Sequence, residues 1–171
     1  MRYYKLIFLF SLILLISSNT SFSSSNYNKD LPIEITADKL EVLQNEKIAI
    51  FEGAVDAKQG GLNLKADELK VYYSSINGNQ SVSKIIAKGN VFFSNKSESA
   101  KGDEGIYNVE KGVITLSGNV TLTQGDSILK GKRLEIDLKT GKNTMKGESD
   151  SIGKTTEDGR VKGLFVPKKR N

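Results

Sequence analysis

"FEGAV" (51–55), "AKGNV" (87–91) and "LSGNV" (116–120) are three copies of one phrase, apolar-x-Gly-x-Val. Their glycines, Gly53, Gly89 and Gly118, with Gly147 as a fourth, stand 36, 29 and 29 residues apart. A second phrase runs between them: "ADKLEV" (37–42), "ADELKV" (66–71), "GDEGIY" (102–107) and "GKRLEI" (131–136), starting 29, 36 and 29 residues apart. The two markers agree on a 29-residue unit with one seven-residue insertion at "SSINGNQ" (74–80), whose Ser, Asn and Gly content is that of a loop. A fixed short period is the mark of a repeat architecture.

Within each unit apolar residues alternate. Phe51, Gly53, Val55 and Ala57 share one parity, as do Ala87, Gly89, Val91 and Phe93, and again Leu116, Gly118, Val120 and Leu122. The second phrase alternates as well, through Leu69, Val71 and Tyr73 in one copy and Leu134, Ile136 and Leu138 in another. Period-2 patterning over short, turn-bounded runs predicts strands with one buried face. No stretch sustains a helical period, and the two prolines, Pro32 and Pro167, lie towards the ends. The chain is therefore expected to be all-β.

The parity flips at the second phrase. Ile33 and Ile35 precede it on odd numbers, and Leu40 and Val42 follow on even ones; Leu62 and Leu64 precede the next copy, and Leu69 and Val71 follow with opposite phase. A flip at a small residue followed by Asp is what a bend demands where a strand crosses from one layer to another. The glycine inside the other strand reads as a bulge or a close approach. Each unit thus contributes strand segments to two facing layers, with inward apolar rows between them.

The start of the chain sets a compartment. Arg2 and Lys5 flank a basic beginning, Leu6–Ile16 is apolar except for Ser11, and Ser17–Ser25 is small and polar. This is the layout of a secretory signal. The run falls short of the roughly 20 residues a membrane span needs. Cleavage after Ser23 leaves 148 residues and takes the net charge from +5 to +3. The expected organisation is a signal peptide at 1–23, a linker at 24–30, one β-domain at 31–167 and a basic tail at 168–171.

Composition excludes much. There is no Cys and no His, so no disulfide framework and no Ser-His-Asp or Cys-His catalysis. The modest positive excess gathers in the tail Lys168, Lys169 and Arg170, where a frayed, solvated end explains it, and does not suggest nucleic-acid binding. Asp38, Asp67 and Asp103 recur at one place in the unit, but the fourth copy carries Lys132 there. Side-chain-to-backbone bonds at a corner suit them better than metal ligation. No metal, cofactor or enzymatic activity is expected.

"LPIEITADKLEV", "LKADELKVYY", "GIYNVEKGVITLSGNVTLTQGDSILKGKRLEI" and "GRVKGLFVP" together resemble the OstA-like family of periplasmic lipopolysaccharide-transport proteins, over about 31–167. The resemblance implies a twisted two-sheet antiparallel β-jellyroll, open at both ends. It implies lipopolysaccharide acyl chains in the apolar interior and copies joined head to tail. Its implied partners are an inner-membrane LptC-like protein and an outer-membrane LptD-like protein, reached through edge strands around Ile33–Ile35 and "GLFV" (163–166). Ile33 and Ile35 match the family's N-terminal interior strand, Tyr107 and Val109 an interior Tyr-x-apolar pair, and Val91 or Phe93 an interior Phe. The stretch between Tyr73 and Lys84 departs from the family in length, and nothing is carried onto it.

The expected lipid-facing rows are Ile33, Ile35, Val42, Phe51 and Val55 from the first unit and Leu69, Val71, Val91 and Phe93 from the second. Tyr107, Val109, Leu116, Val120 and Leu122 come from the third, and Leu134, Ile136 and Leu138 from the last. The same alternation fits a filled core. Two other readings stay open at this level: a membrane-anchored LptC-like component that keeps its N-terminal segment, and a structural β-solenoid without ligand.

Overall fold

The computed structural model describes residues 27–76, 79–148 and 159–166. The expected signal peptide and basic tail lie outside them. The strands are β1 (Glu34–Thr36), β2 (Lys39–Leu43), β3 (Ile48–Gln59), β4 (Leu62–Ile76), β5 (Asn79–Ser94), β6 (Ser99–Asn108), β7 (Val113–Gln124), β8 (Ser127–Asp137), β9 (Lys142–Lys146) and β10 (Lys162–Leu164). All pairings are antiparallel and almost all join neighbours in sequence, in the order β1-β3-β4-β5-β6-β7-β8-β10, with β2 beside β3 and β9 beside β8. Among the described residues the path does not close, so the sheet has two ends.

Each long strand bends once in its middle. The register of β3 with β4 jumps between Glu52 and Val55, of β5 with β6 between Lys88 and Val91, and of β7 with β8 between Ser117 and Val120. The jumps coincide with the repeated glycines. Gly53, Gly89 and Gly118 have φ of 82°, 73° and 74°, and the next residues, Ala54, Asn90 and Asn119, are also left-handed at 44°, 47° and 44°. Two consecutive left-handed residues opposite one residue of the neighbouring strand make a bulge that turns the chain through a corner. Because the bulge holds two residues, parity survives it. On the partner strands a single residue, Asp67, Asp103 or Lys132, occupies the corner, and there the parity flips.

The corner divides the sheet into two facing layers. The first holds β1, β10 and the segments Val55–Gln59, Leu62–Ala66, Val91–Ser94, Ser99–Gly102, Val120–Gln124 and Ser127–Gly131; the second holds β2, β9 and the other halves. The two layers expected from sequence are present, continuous through the bent strands as one ten-stranded sheet. Of the insertion at 74–80, expected as a loop, the described residues 74–76 and 79–80 instead extend the β4–β5 hairpin, pairing Ser74 with Ser81 and Ile76 with Asn79. Strands already hydrogen-bonded can lengthen without leaving backbone groups unpaired.

Candidate functional site

Pairing aligns the inward side chains into continuous rows. In the first layer one row reads Ile35, Ala57, Leu64, Phe93, Ala100, Leu122, Leu129 and Gly163 across eight strands. In the second layer two rows run parallel. One is Leu40, Phe51, Leu69, Ala87, Gly105, Leu116, Leu134 and Met145; the other is Val42, Ala49, Val71, Ile85, Tyr107, Ile114, Ile136 and Asn143. Every side chain in these rows is uncharged. Facing rows pack into one cluster that holds the central members of both layers.

The sequence-derived residues fall as follows. Val55, Leu69, Val71, Val91, Phe93, Tyr107, Val109, Leu116, Val120, Leu122, Leu134, Ile136 and Leu138 are buried in the cluster. Ile33, Ile35 and Phe51 are half-buried against it. Val42 points inward but is 48% exposed, because it stands on the last strand at the free N-terminal end with no neighbour beyond it. Leu40 beside it is 54% exposed for the same reason. The interior is therefore uncovered at that end. Ile85 and Ile114, absent from the sequence list, follow from simple extension of the alternation. Alternation also puts Gln59 in an inward slot, two residues after Ala57, but offers no hint of its partners.

Gln59 is buried and hydrogen-bonded throughout. Its Nε2 donates to the carbonyls of Lys29 and Leu31 at 3.1 and 3.0 Å, and its Oε1 accepts from the Tyr107 hydroxyl at 2.7 Å. The Tyr27 hydroxyl donates to the Val109 carbonyl at 2.7 Å and lies 3.0 Å from the Tyr107 hydroxyl. Burial, reinforced by the neighbouring Tyr27 hydroxyl, pushes the Tyr107 phenol far above its usual range, so it is neutral near pH 7. This knot joins the first layer, through Gln59, to the second, through Tyr107.

A second polar link closes the far end. Glu98, in the β5–β6 turn of the first layer, accepts from Asn143 of the second layer and from Gln124, each at 2.6 Å. Between the two links the mouth opens into a cavity of about 510 Å³, rimmed by the turns at 59–62, 95–98 and 137–141. Under Gln59 and Tyr107 the apolar interior leaves a space of only about 20 Å³, walled by Ile33, Leu64, Ile85, Phe93 and Ile114 among others. That volume holds about one water. The resting interior is packed, and its mouth is held at two points.

Asp67 and Asp103 do not make the side-chain-to-backbone bonds expected of them. Their carboxylates reach across the strand pair to the carboxamides of Asn90 and Asn119 at 2.8 and 2.9 Å. Neither lies near the interior, and no group of three or more His, Cys, Asp or Glu among the described residues is arranged to hold a metal ion.

A sheet folded once along a glycine corner and lined by uncharged rows defines an unclosed β-jellyroll. Residues 34–142 match the family model described as LptA/(LptD N-terminal domain) LPS transport protein. The chain belongs to that family of lipopolysaccharide-transport proteins. It is 33% identical over 149 residues to an uncharacterised protein of Rhizobium meliloti (strain 1021), covering 84% of this chain and 75% of the relative. Among solved structures it resembles LptH of Pseudomonas aeruginosa, described as the LptA-homologous periplasmic component of the lipopolysaccharide transport device. The TM-score is 0.69 at 18% identity, over 81% of this chain and 98% of that one.

Proposed function

We propose that this protein is a periplasmic conduit for lipopolysaccharide, holding the acyl chains between its layers while the saccharide stays outside. The single observation that carries the reading is the trio of uncharged rows that run from one free end of the sheet to the other. Hiding an alkyl chain from water is worth about 0.8 kcal/mol per methylene, so a 12-carbon chain needs roughly 9 kcal/mol of shelter at each point of its path. Rows without specific acceptors supply that shelter evenly and let the chain slide.

The free ends support head-to-tail assembly. Leu40 and Val42 at one end, and Leu164 and Phe165 at the other, are exposed apolar residues on or beside the terminal strands of the sheet. Pairing β1 and β2 of one copy with β9 and β10 of the next would extend the rows from copy to copy. In this reading the inner-membrane end receives lipid from an LptC-like protein and the outer-membrane end delivers it to an LptD-like one. The exported protein works after loss of residues 1–23.

Photocrosslinking in living cells tests the reading. A photoreactive residue at position 35, 91 or 107 should yield a lipopolysaccharide adduct, and one at outward Thr121 should not. Absence of adduct from all three interior positions would overturn the conduit.

A further inference from the structure

The resting interior cannot hold an alkyl chain, so the mouth must part somewhere. Residues 27–31 show where. Five residues reach at most about 17 Å, enough to cross layers spaced about 10 Å apart. Leu31 packs over Gly60 in the β3–β4 turn of the first layer, whereas the Tyr27 ring lies against Gly112 in the β6–β7 turn of the second. The segment thus bridges the mouth. Gln59 and Leu62 line both the interior space and the outer cavity, so the two voids share a wall beside it.

The bonds that hold the segment have a definite chemistry. It presents two carbonyls, from Lys29 and Leu31, to the Gln59 amide. It presents one hydroxyl, from Tyr27, to the Val109 carbonyl and the Tyr107 hydroxyl. Two phenolic protons serve three contacts here, because Tyr107 also donates to Gln59. One contact therefore lacks a proton at any moment, and the knot is weaker than its distances imply. Lifting the segment exposes a carboxamide donor, a neutral phenol and a carbonyl acceptor, set directly above the apolar rows.

We infer that this spot is a lateral binding site for the junction of an acylated sugar, where carbonyl and hydroxyl groups join a fatty chain to its saccharide. Residues 27–31 occupy it at rest as a removable strap that imitates the junction's own carbonyls and hydroxyl. The inference rests on the conduit reading above. Neutral groups are the right ones for ester, amide and hydroxyl functions; the three that the strap covers are uncharged, and the cations around them, Lys58, Lys96 and Lys139, belong to the walls and turns of the mouth. Loading through this site exchanges one set of equivalent hydrogen bonds for another, so the strap leaves without stranding Gln59 or Tyr107.

The test uses the exported, processed protein, fluorophore-labelled purified lipopolysaccharide, and the same material stripped of its acyl chains. Tyr27→Phe removes the strap's hydroxyl and should strengthen binding of the intact probe about three- to tenfold, the worth of one hydrogen bond. Tyr27→Cys with Lys139→Cys, bridged by a cleavable thiol crosslinker, should weaken binding at least tenfold until the bridge is cut; the chain has no other cysteine. Hydrogen exchange at the backbone amides of 28–31 should accelerate when probe is bound. Probe bound with those amides unchanged, or undiminished by the crosslink, would overturn the strap while leaving the conduit standing. No probe bound by any form, including Tyr27→Phe with its strap loosened, would overturn both.

Discussion

Asn119 donates from its side-chain amide to the Asp103 carboxylate at 2.9 Å, and one repeat later Lys132 meets Glu148 at 3.7 Å in the same place. The fourth copy exchanges an acid and an amide for a cation and an acid. What the unit keeps is a side-chain link across the corner, and the polarity of the link is free. Lys132 therefore departs from the recurring Asp without breaking the architecture.

The first copy lacks the link on one side. Ala54 stands at the position of Asn90 and Asn119 with φ of 44° and cannot bond Asp38. A left-handed Ala costs roughly 1–2 kcal/mol, whereas Asn tolerates that conformation. Ala54→Asn should stabilise the fold by about 0.5–1 kcal/mol, read as a shifted denaturation midpoint with an unchanged slope. Part of the gain should vanish in an Asp38→Ala background. A neutral or destabilising outcome would mean that the corner does not depend on this residue.

Gly118→Ala should do the opposite. Its φ is 74°, and an added Cβ would collide with the Asp103 carboxylate. Strain of about 1–2 kcal/mol, plus displacement of the carboxylate from Asn119, should lower the melting temperature by roughly 2–4 °C per kcal/mol. Combining it with Asp103→Ala should recover only the part owed to the collision.

Much of this fold was legible. Two markers of equal period placed the corners, and alternation placed the inward rows, because a strand half-buried on one face must write its burial with period 2. The insertion was misread as a loop because Ser and Asn are weak strand formers in isolation, while a hairpin with neighbours already paired extends on backbone bonds alone. Gln59 and Tyr27 were illegible for another reason. Their meaning lies in partners 48 and 82 residues away, Tyr107 and Val109, and no local pattern encodes a contact at that range. Val42 was placed on the correct face, but which strand ends the sheet is a property of the topology and not of the alternation.

Leu116 is fully buried on an inner row, beside Gly105, and belongs to the common hydrophobic cluster. Leu116→Ala should destabilise by about 2–5 kcal/mol. The space it opens lies on the proposed lipid path, so bound lipopolysaccharide should restore more stability to this variant than to the parent. Thermal melts with and without lipid check both effects. Equal stabilisation of parent and variant would argue that lipid does not reach Leu116.

Phe165 is 70% exposed and Leu164 60%, at the rim where β10 ends the sheet. Replacing both with Lys removes little buried surface, so the melting temperature should change by less than about 2 °C. Concentration-dependent association, followed by sedimentation or light scattering, should weaken markedly, since charge at an edge opposes pairing. An unchanged association profile would place the contact between copies elsewhere.

Tyr107 gives the fold a signature at high pH. Its phenol is held far above the ordinary value near 10 by burial, while in the unfolded chain it titrates normally. Above about pH 10 the unfolded state sheds this proton and the native state keeps it. Unfolding then gains up to roughly 1.4 kcal/mol per pH unit from this one group. The stabilising difference is complete below pH 10 and is lost progressively as pH rises towards the native value. Other tyrosines and the lysines titrate in the same range, so the comparison is with Tyr107→Phe. That variant should be less stable at neutral pH, having left Gln59 Oε1 without its donor, yet it should lose stability less steeply between pH 10 and 11. Parallel curves for the two proteins would mean that the phenol is not sequestered, and that the knot linking Gln59 to the second layer is open in solution.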